Sequence, residues 1–150
     1  MSTAAFQTFH HTLDIDAPAD EVWRVLTSPE LVREWAAVYQ DGLSIRTSWR
    51  EGDPVAWREP NGATWASGRV AAFQPGRLLS FEYDQGRVAS EGRSFSETFE
   101  ICEIDHRTRL DFTTGPLDEV GAATLRGPAE EAIREIKSLA EESAQIRRSR

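Results

Sequence analysis

Glu97 is the residue whose type and position most suggest chemistry. In Phe95-Ser96-Glu97-Thr98-Phe99-Glu100-Ile101 the large apolar side chains fall on alternate positions, the pattern of a strand with one face on a core, and Glu97 shares their parity. An inward carboxylate is costly to desolvate, so it needs a partner, a ligand or a task. Three readings stay open: Glu97 sits at a strand end or pairs with Arg69 or Arg93, it orients a bound ligand, or it exchanges protons with a substrate. The run Leu79-Ser80-Phe81-Glu82-Tyr83-Asp84 alternates in the same way. Leu79, Phe81 and Tyr83 are therefore expected to point inward, where the Tyr83 phenol can join Glu97.

Other chemistries find little support. His10 and His11 fall on opposite faces of one extended segment and His106 lies in a turn, so none has a ligating neighbour at metal-binding spacing. Cys102 is the single cysteine, which excludes an internal disulfide and a cysteine-rich metal site. There is no phosphate-cradling glycine loop and no serine nucleophile motif. No metal and no cofactor are expected, and Glu97 is the one catalytic candidate.

Aromatic residues supply the walls of any binding site. Five tryptophans, Trp23, Trp35, Trp49, Trp57 and Trp65, are spread over the helices and early strands of the first half of the chain. Trp23 shares a helical face with Leu26 and is expected in the core; Trp35, Trp49 and Trp57 suit a core and a cavity wall equally well. Strand parity also turns inward Leu43, Ile45, Thr47 and Trp49, and Leu110, Phe112 and Thr114. The candidate ligand-binding set is Trp35, Trp49, Trp57, Phe81, Tyr83, Glu97, Phe99 and Phe112.

These residues need a scaffold. The alternation of Phe9, His11, Leu13 and Ile15 predicts a first strand over 6–15. Ala17-Pro18-Ala19-Asp20-Glu21 and Ser28-Pro29-Glu30 each place proline and carboxylates where a helix starts, so two short helices follow back to back. From Leu43 onward, runs rich in β-branched and aromatic residues alternate with turn chemistry. They predict strands near 43–50, 54–59, 64–73, 77–83, 94–104 and 108–114. Ala129, Ala132, Ile133, Ile136, Leu139, Ala140 and Ser143 recur at helical spacing, which predicts a long amphipathic helix started by Gly127-Pro128.

The chain has 150 residues, 28% of them charged, with a formal net charge of −8. It has the size of one domain and is expected to fold over its whole length, 1–150, with a core of about 6–146. Its charge disfavours nucleic acid and anionic membrane surfaces. Arg147, Arg148 and Arg150 form the one basic cluster, expected to be a frayed, solvated end. No leader-like segment and no membrane-spanning apolar run is present, so a cytoplasmic location without membrane insertion is expected.

The order of elements resembles the START-like (SRPBCC) helix-grip superfamily. Ala17-Pro18-Ala19, Val22-Trp23, Leu26-Thr27, Pro29-Glu30 and Trp35 are similar to the N-terminal signature of the subfamily named for the C-terminal domain of the activator of heat-shock-ninety ATPase. Gly68-Arg69-Val70, Gln74-Pro75, Leu78, Glu97-Thr98-Phe99-Glu100 and Thr108-Arg109-Leu110 continue the match. The resemblance implies an α+β fold, a curved antiparallel sheet of about six or seven strands wrapped around the long C-terminal helix, with two short helices after the first strand. It implies an internal cavity for an apolar or aromatic small molecule between sheet and helix. Two alternatives follow from the same superfamily: a polyketide cyclase or aromatase-like enzyme using Glu97, and a chaperone-associated or self-associating protein, for which a homodimer would suffice. Binding without catalysis is the first expectation.

Overall fold

The computed structural model describes residues 6–87 and 93–149. Strand β1 (Gln7–Ile15) leads into α1 (Ala19–Thr27) and α2 (Pro29–Ala36). Six strands follow: β2 (Ser44–Thr47), β3 (Pro54–Arg58), β4 (Thr64–Gln74), β5 (Leu78–Gly86), β6 (Phe95–Ile104) and β7 (Arg107–Leu117). Helix α3 (Glu119–Arg148) ends the chain. The architecture is the α+β helix grip. Among the described residues no helix is long and apolar enough to cross a membrane.

All seven strands form one antiparallel sheet in the order β1-β7-β6-β5-β4-β3-β2. The meander is sequential except that β1 pairs with β7, Leu13 opposite Leu110. Helix α3 lies against β1, β7, α1 and α2. Its buried stripe of Ala122, Leu125, Ala129, Ala132, Ile133, Ile136, Ala140 and Ala144 covers the inner sheet face. That face supplies Leu79, Phe81, Phe99, Leu110 and Phe112, each no more than 2% exposed. Period-two burial on the strands meets helical periodicity on α3, and removing both surfaces from water holds the layers together.

Three expectations require correction. The last helix does not start at Gly127-Pro128; it begins at Glu119, where the Asp118 side chain accepts a 2.7 Å hydrogen bond from the Gly121 N–H, and Pro128 lies inside it. An N-terminal cap and the burial of Ala122 and Leu125 outweigh the one backbone bond that proline cannot donate. Nor is the basic end a frayed tail. Arg147 Nε lies 2.7 Å from Oε1 of Glu21, a carboxylate 2% exposed, and Arg148 reaches Asp16 at 3.6 Å. A buried charge on α1 thus recruits the last turn of α3. Arg150 lies outside the described residues.

Strand β2 also stops earlier than its alternation predicts. Trp49 adopts a left-handed backbone with φ 63°, and its N–H is bonded to Thr47 Oγ1 at 3.1 Å. The ladder therefore ends at Thr47.

Candidate functional site

Three side chains from three adjacent strands form a directed hydrogen-bond chain. Trp57 Nε1 on β3 donates to Tyr83 Oη on β5 at 2.7 Å, and Tyr83 Oη donates to Glu97 Oε1 on β6 at 2.7 Å. Strand register explains the second bond: Phe81 pairs with Glu97 and Tyr83 with Phe95, so Tyr83 and Glu97 are diagonal neighbours on one face. Neither arginine expected beside Glu97 reaches it. Arg69 pairs with Glu82 at 2.8 Å on the outer face, and the Arg93 guanidinium lies 4.1 Å from the Phe6 ring centre.

Glu97 is half-buried and makes no ion pair among the described residues. Burial pushes its carboxyl up to about 7 while the Tyr83 bond pulls it down. Burial, and then the charge of Glu97, hold the phenols of Tyr83 and Tyr39 well above their ordinary value. Directly across the β6–β7 ladder from Glu97 stands Thr114, 1% exposed, whose hydroxyl has no hydrogen-bond partner among the described residues.

Glu97, Tyr83 and Tyr39 face an aromatic cavity. Trp35, Tyr39, Leu43, Trp57, Trp65, Ala66, Tyr83, Phe95, Glu97 and Leu125 line it, and about 20 Å³ is open to the centres of water molecules. That is room for about one water. Trp35 is fixed by a 2.9 Å bond from Nε1 to the Val25 carbonyl and by edge contacts with Trp57 and Phe99, ring centres 6.0 Å away in each case. Tyr39, Trp65 and Glu97 are the half-buried members of the lining, and the first two form its aromatic wall toward solvent.

Of the candidate set, Trp35, Trp57, Tyr83 and Glu97 meet at the cavity. Phe81 and Phe99 back it, Phe81 against Trp57 at 6.5 Å and Phe99 against Trp35, while Phe112 stacks behind Phe99 at 4.7 Å. Trp49 stands apart from the lining and packs on Phe73 and Phe81. Tyr39, Leu43, Trp65, Ala66, Phe95 and Leu125 were not in the set. Leu43 and Phe95 carry the inward parity, and Leu125 belongs to the helical turns before Pro128. Tyr39 lies in an irregular connection whose direction no periodicity encodes.

A second polar cluster stands beside this wall. Glu59, 7% exposed, accepts from Arg87 Nη2 and Gln40 Nε2, each at 2.5 Å, and these bonds hold its carboxyl below the usual range. The Arg87 guanidinium also lies over Trp65, 5.6 Å from the ring centre. Gln40 follows Tyr39 in sequence, so the cluster ties the two half-buried wall residues to the β3–β4 hairpin.

Comparison with known proteins agrees with this architecture. Several solved structures share the fold over nearly the full length. A Rhizobium leguminosarum protein has a TM-score of 0.70 at 18% identity, covering 93% of this chain and 97% of its own. A Mesorhizobium loti protein has a TM-score of 0.69 at 18% identity, covering 91% and 98%. The Aha1 dimer from Colwellia psychrerythraea has a TM-score of 0.68 at 14% identity, covering 90% and 96%. At these identities the likeness shows the fold alone. No curated protein matches the chain in sequence. A family profile described as polyketide cyclase / dehydrase and lipid transport matches residues 7–141, and the chain belongs to that family.

Proposed function

We propose that the protein binds a small, largely apolar molecule with an aromatic or flat hydrocarbon body in the cavity between the sheet and α3. The observation that carries this reading is the Trp57–Tyr83–Glu97 chain set into an otherwise apolar aromatic lining. A wall of rigid rings with few convergent polar groups is the usual form of a ligand pocket. The polar chain would fix the orientation of a ligand that the rings hold by contact area. Because the free space holds about one water, admission of a ring requires the Tyr39 and Trp65 wall to move outward.

The test is native mass spectrometry of protein purified from its own cells, paired with titration of indole by tryptophan fluorescence. A retained small-molecule mass, or saturable indole binding abolished by the cavity-filling substitution Leu125→Phe in a protein that stays folded, is expected. Protein that retains nothing and shows no saturable change with millimolar indole overturns the reading.

One observation favours a second reading, an enzyme of the cyclase type. A carboxyl at about 7 beside a phenol suits general acid–base work near neutral pH. Turnover of an aromatic polyketide substrate that inflects near pH 7 and is lost in Glu97→Gln would promote it; full activity in Glu97→Gln would remove it.

A further inference from the structure

Resting on the cavity reading above, the geometry points to the charge of the occupant: we infer that the cavity selects a small organic ammonium cation with an apolar body over neutral or anionic ligands of the same shape.

The hydrogen-bond chain carries the first step. Tyr83 Oη accepts from Trp57 and donates to Glu97 Oε1, so the chain has a fixed direction and ends on Glu97 as an acceptor. Such an arrangement favours the carboxylate over the acid. Yet no cation stands opposite it among the described residues, since Arg69 and Arg93 are engaged elsewhere. Removal from water without a counter-charge is what pushes the group up to about 7. A positively charged ligand supplies the missing charge.

The surroundings fit the same ligand. Trp35, Trp57, Trp65, Tyr39, Tyr83 and Phe95 present ring systems to the space beside the carboxylate. Ring faces attract ammonium groups, most strongly where water is excluded. Among the described residues the lining contains no lysine, arginine or histidine, and the net charge of −8 draws cations toward the surface and repels anions. Glu97 of β6 faces Tyr83 of β5 and Tyr39 beyond α2, both phenols held in the neutral form by burial; Leu125 is the lining contribution of α3, and β7 places the uncharged Thr114 opposite. Glu97 is therefore the group whose ionisation sets the charge of the cavity near neutral pH.

The experiment compares benzylammonium with benzyl alcohol, near-isosteres that differ in charge, by isothermal titration calorimetry at pH 8 and pH 5.5 on the wild type and Glu97→Gln. Benzylammonium is expected to bind about tenfold more tightly than the alcohol at pH 8. The preference, read as the ratio of the two affinities, shrinks several-fold at pH 5.5 and disappears in Glu97→Gln. Equal binding of the two probes with no pH dependence overturns cation selectivity and leaves the cavity reading intact. Failure of both probes to bind folded protein at millimolar concentration overturns selectivity and cavity reading together. Benzoate binding as tightly as benzylammonium at pH 8 also overturns the inference.

Discussion

Tyr83 and Glu97 share one proton-donating contact, 2.7 Å across the β5–β6 ladder, and Tyr83 is itself held by the Trp57 indole at the same distance. The phenol therefore cannot turn away from the carboxylate without abandoning a buried indole N–H. This coupling makes the site sensitive to the charge of Glu97, and the first two expected outcomes below follow from it.

Replacing Glu97 by Gln is expected to stabilise the protein at pH 8 and leave it unchanged near pH 4. The folded carboxyl titrates at about 7 against an ordinary value of 4.5. The folded state thus holds the proton more firmly, and wild-type stability falls as pH rises between those values. At about 1.4 kcal/mol per unit the loss is up to about 3 kcal/mol. Gln keeps an acceptor for Tyr83 and carries no charge, so its stability is free of this contribution. Urea midpoints of both proteins at pH 4, 6 and 8 check it; parallel curves would refute the assignment.

Tyr83→Phe is expected to move the Glu97 titration above its wild-type position, because the bond removed is the one that lowers it. The variant also leaves the Trp57 N–H unpaired in the cavity wall, at a cost of about 1–3 kcal/mol. Carbon-detected NMR of the Glu97 carboxyl reads the first effect and denaturant unfolding the second.

Leu125→Ala is expected to cost about 2–5 kcal/mol and to create dry space beside the tryptophans. Leu125 is 4% exposed and lines the cavity. Toluene should then raise the melting temperature of the variant more than that of the wild type; equal shifts would mean that Leu125 does not limit the space.

Arg147→Ala is expected to destabilise by about 1–2 kcal/mol at low salt, and less in 1 M NaCl. The guanidinium is the α3 partner of buried Glu21, with Arg24 at 3.4 Å as the local one. Adding Arg147→Ala to Glu21→Gln should cost little further, because the charge needing compensation is gone.

Gly68→Ala is expected to disrupt the site through the backbone. A Cβ at Gly68 would collide with the Glu82 carbonyl oxygen and come within 2.7 Å of the Tyr83 Cα, so β4 would have to lift from β5. Loss of about 2–4 kcal/mol and a disturbed near-ultraviolet tryptophan signal are the expected readouts.

Much of this arrangement was legible in the sequence because it is periodic. Alternation at Leu79, Phe81 and Tyr83 and at Phe95, Glu97 and Phe99 identifies the inner face, and the turn residues separate the strands. What stayed hidden depends on tertiary context. Pro128 reads as a helix start because local rules cannot see the sheet that rewards burial of Ala122 and Leu125 before it. The connection that holds Tyr39 lacks a period, and Trp49 stands apart from the cavity lining because its φ turns positive where the alternation would continue. The partner of Glu97 could not be chosen from sequence, since Tyr83 and the two arginines all lie within reach of an inward carboxylate until register decides.

The pairing of β1 with β7 has a consequence for how the chain is made. Strand β1 finds its partner only when residues 108–117 have been translated, because Ile15 pairs with Thr108 and Gln7 with Leu117. Until then β2 to β6 can assemble as local hairpins, while β1 and the apolar faces of α1 and α2 wait for β7 and α3. Such long-range closure slows folding and leaves an unpaired strand exposed to association during synthesis. A nascent chain stalled before β7 should therefore be a substrate for holding chaperones, and release past α3 should end that dependence.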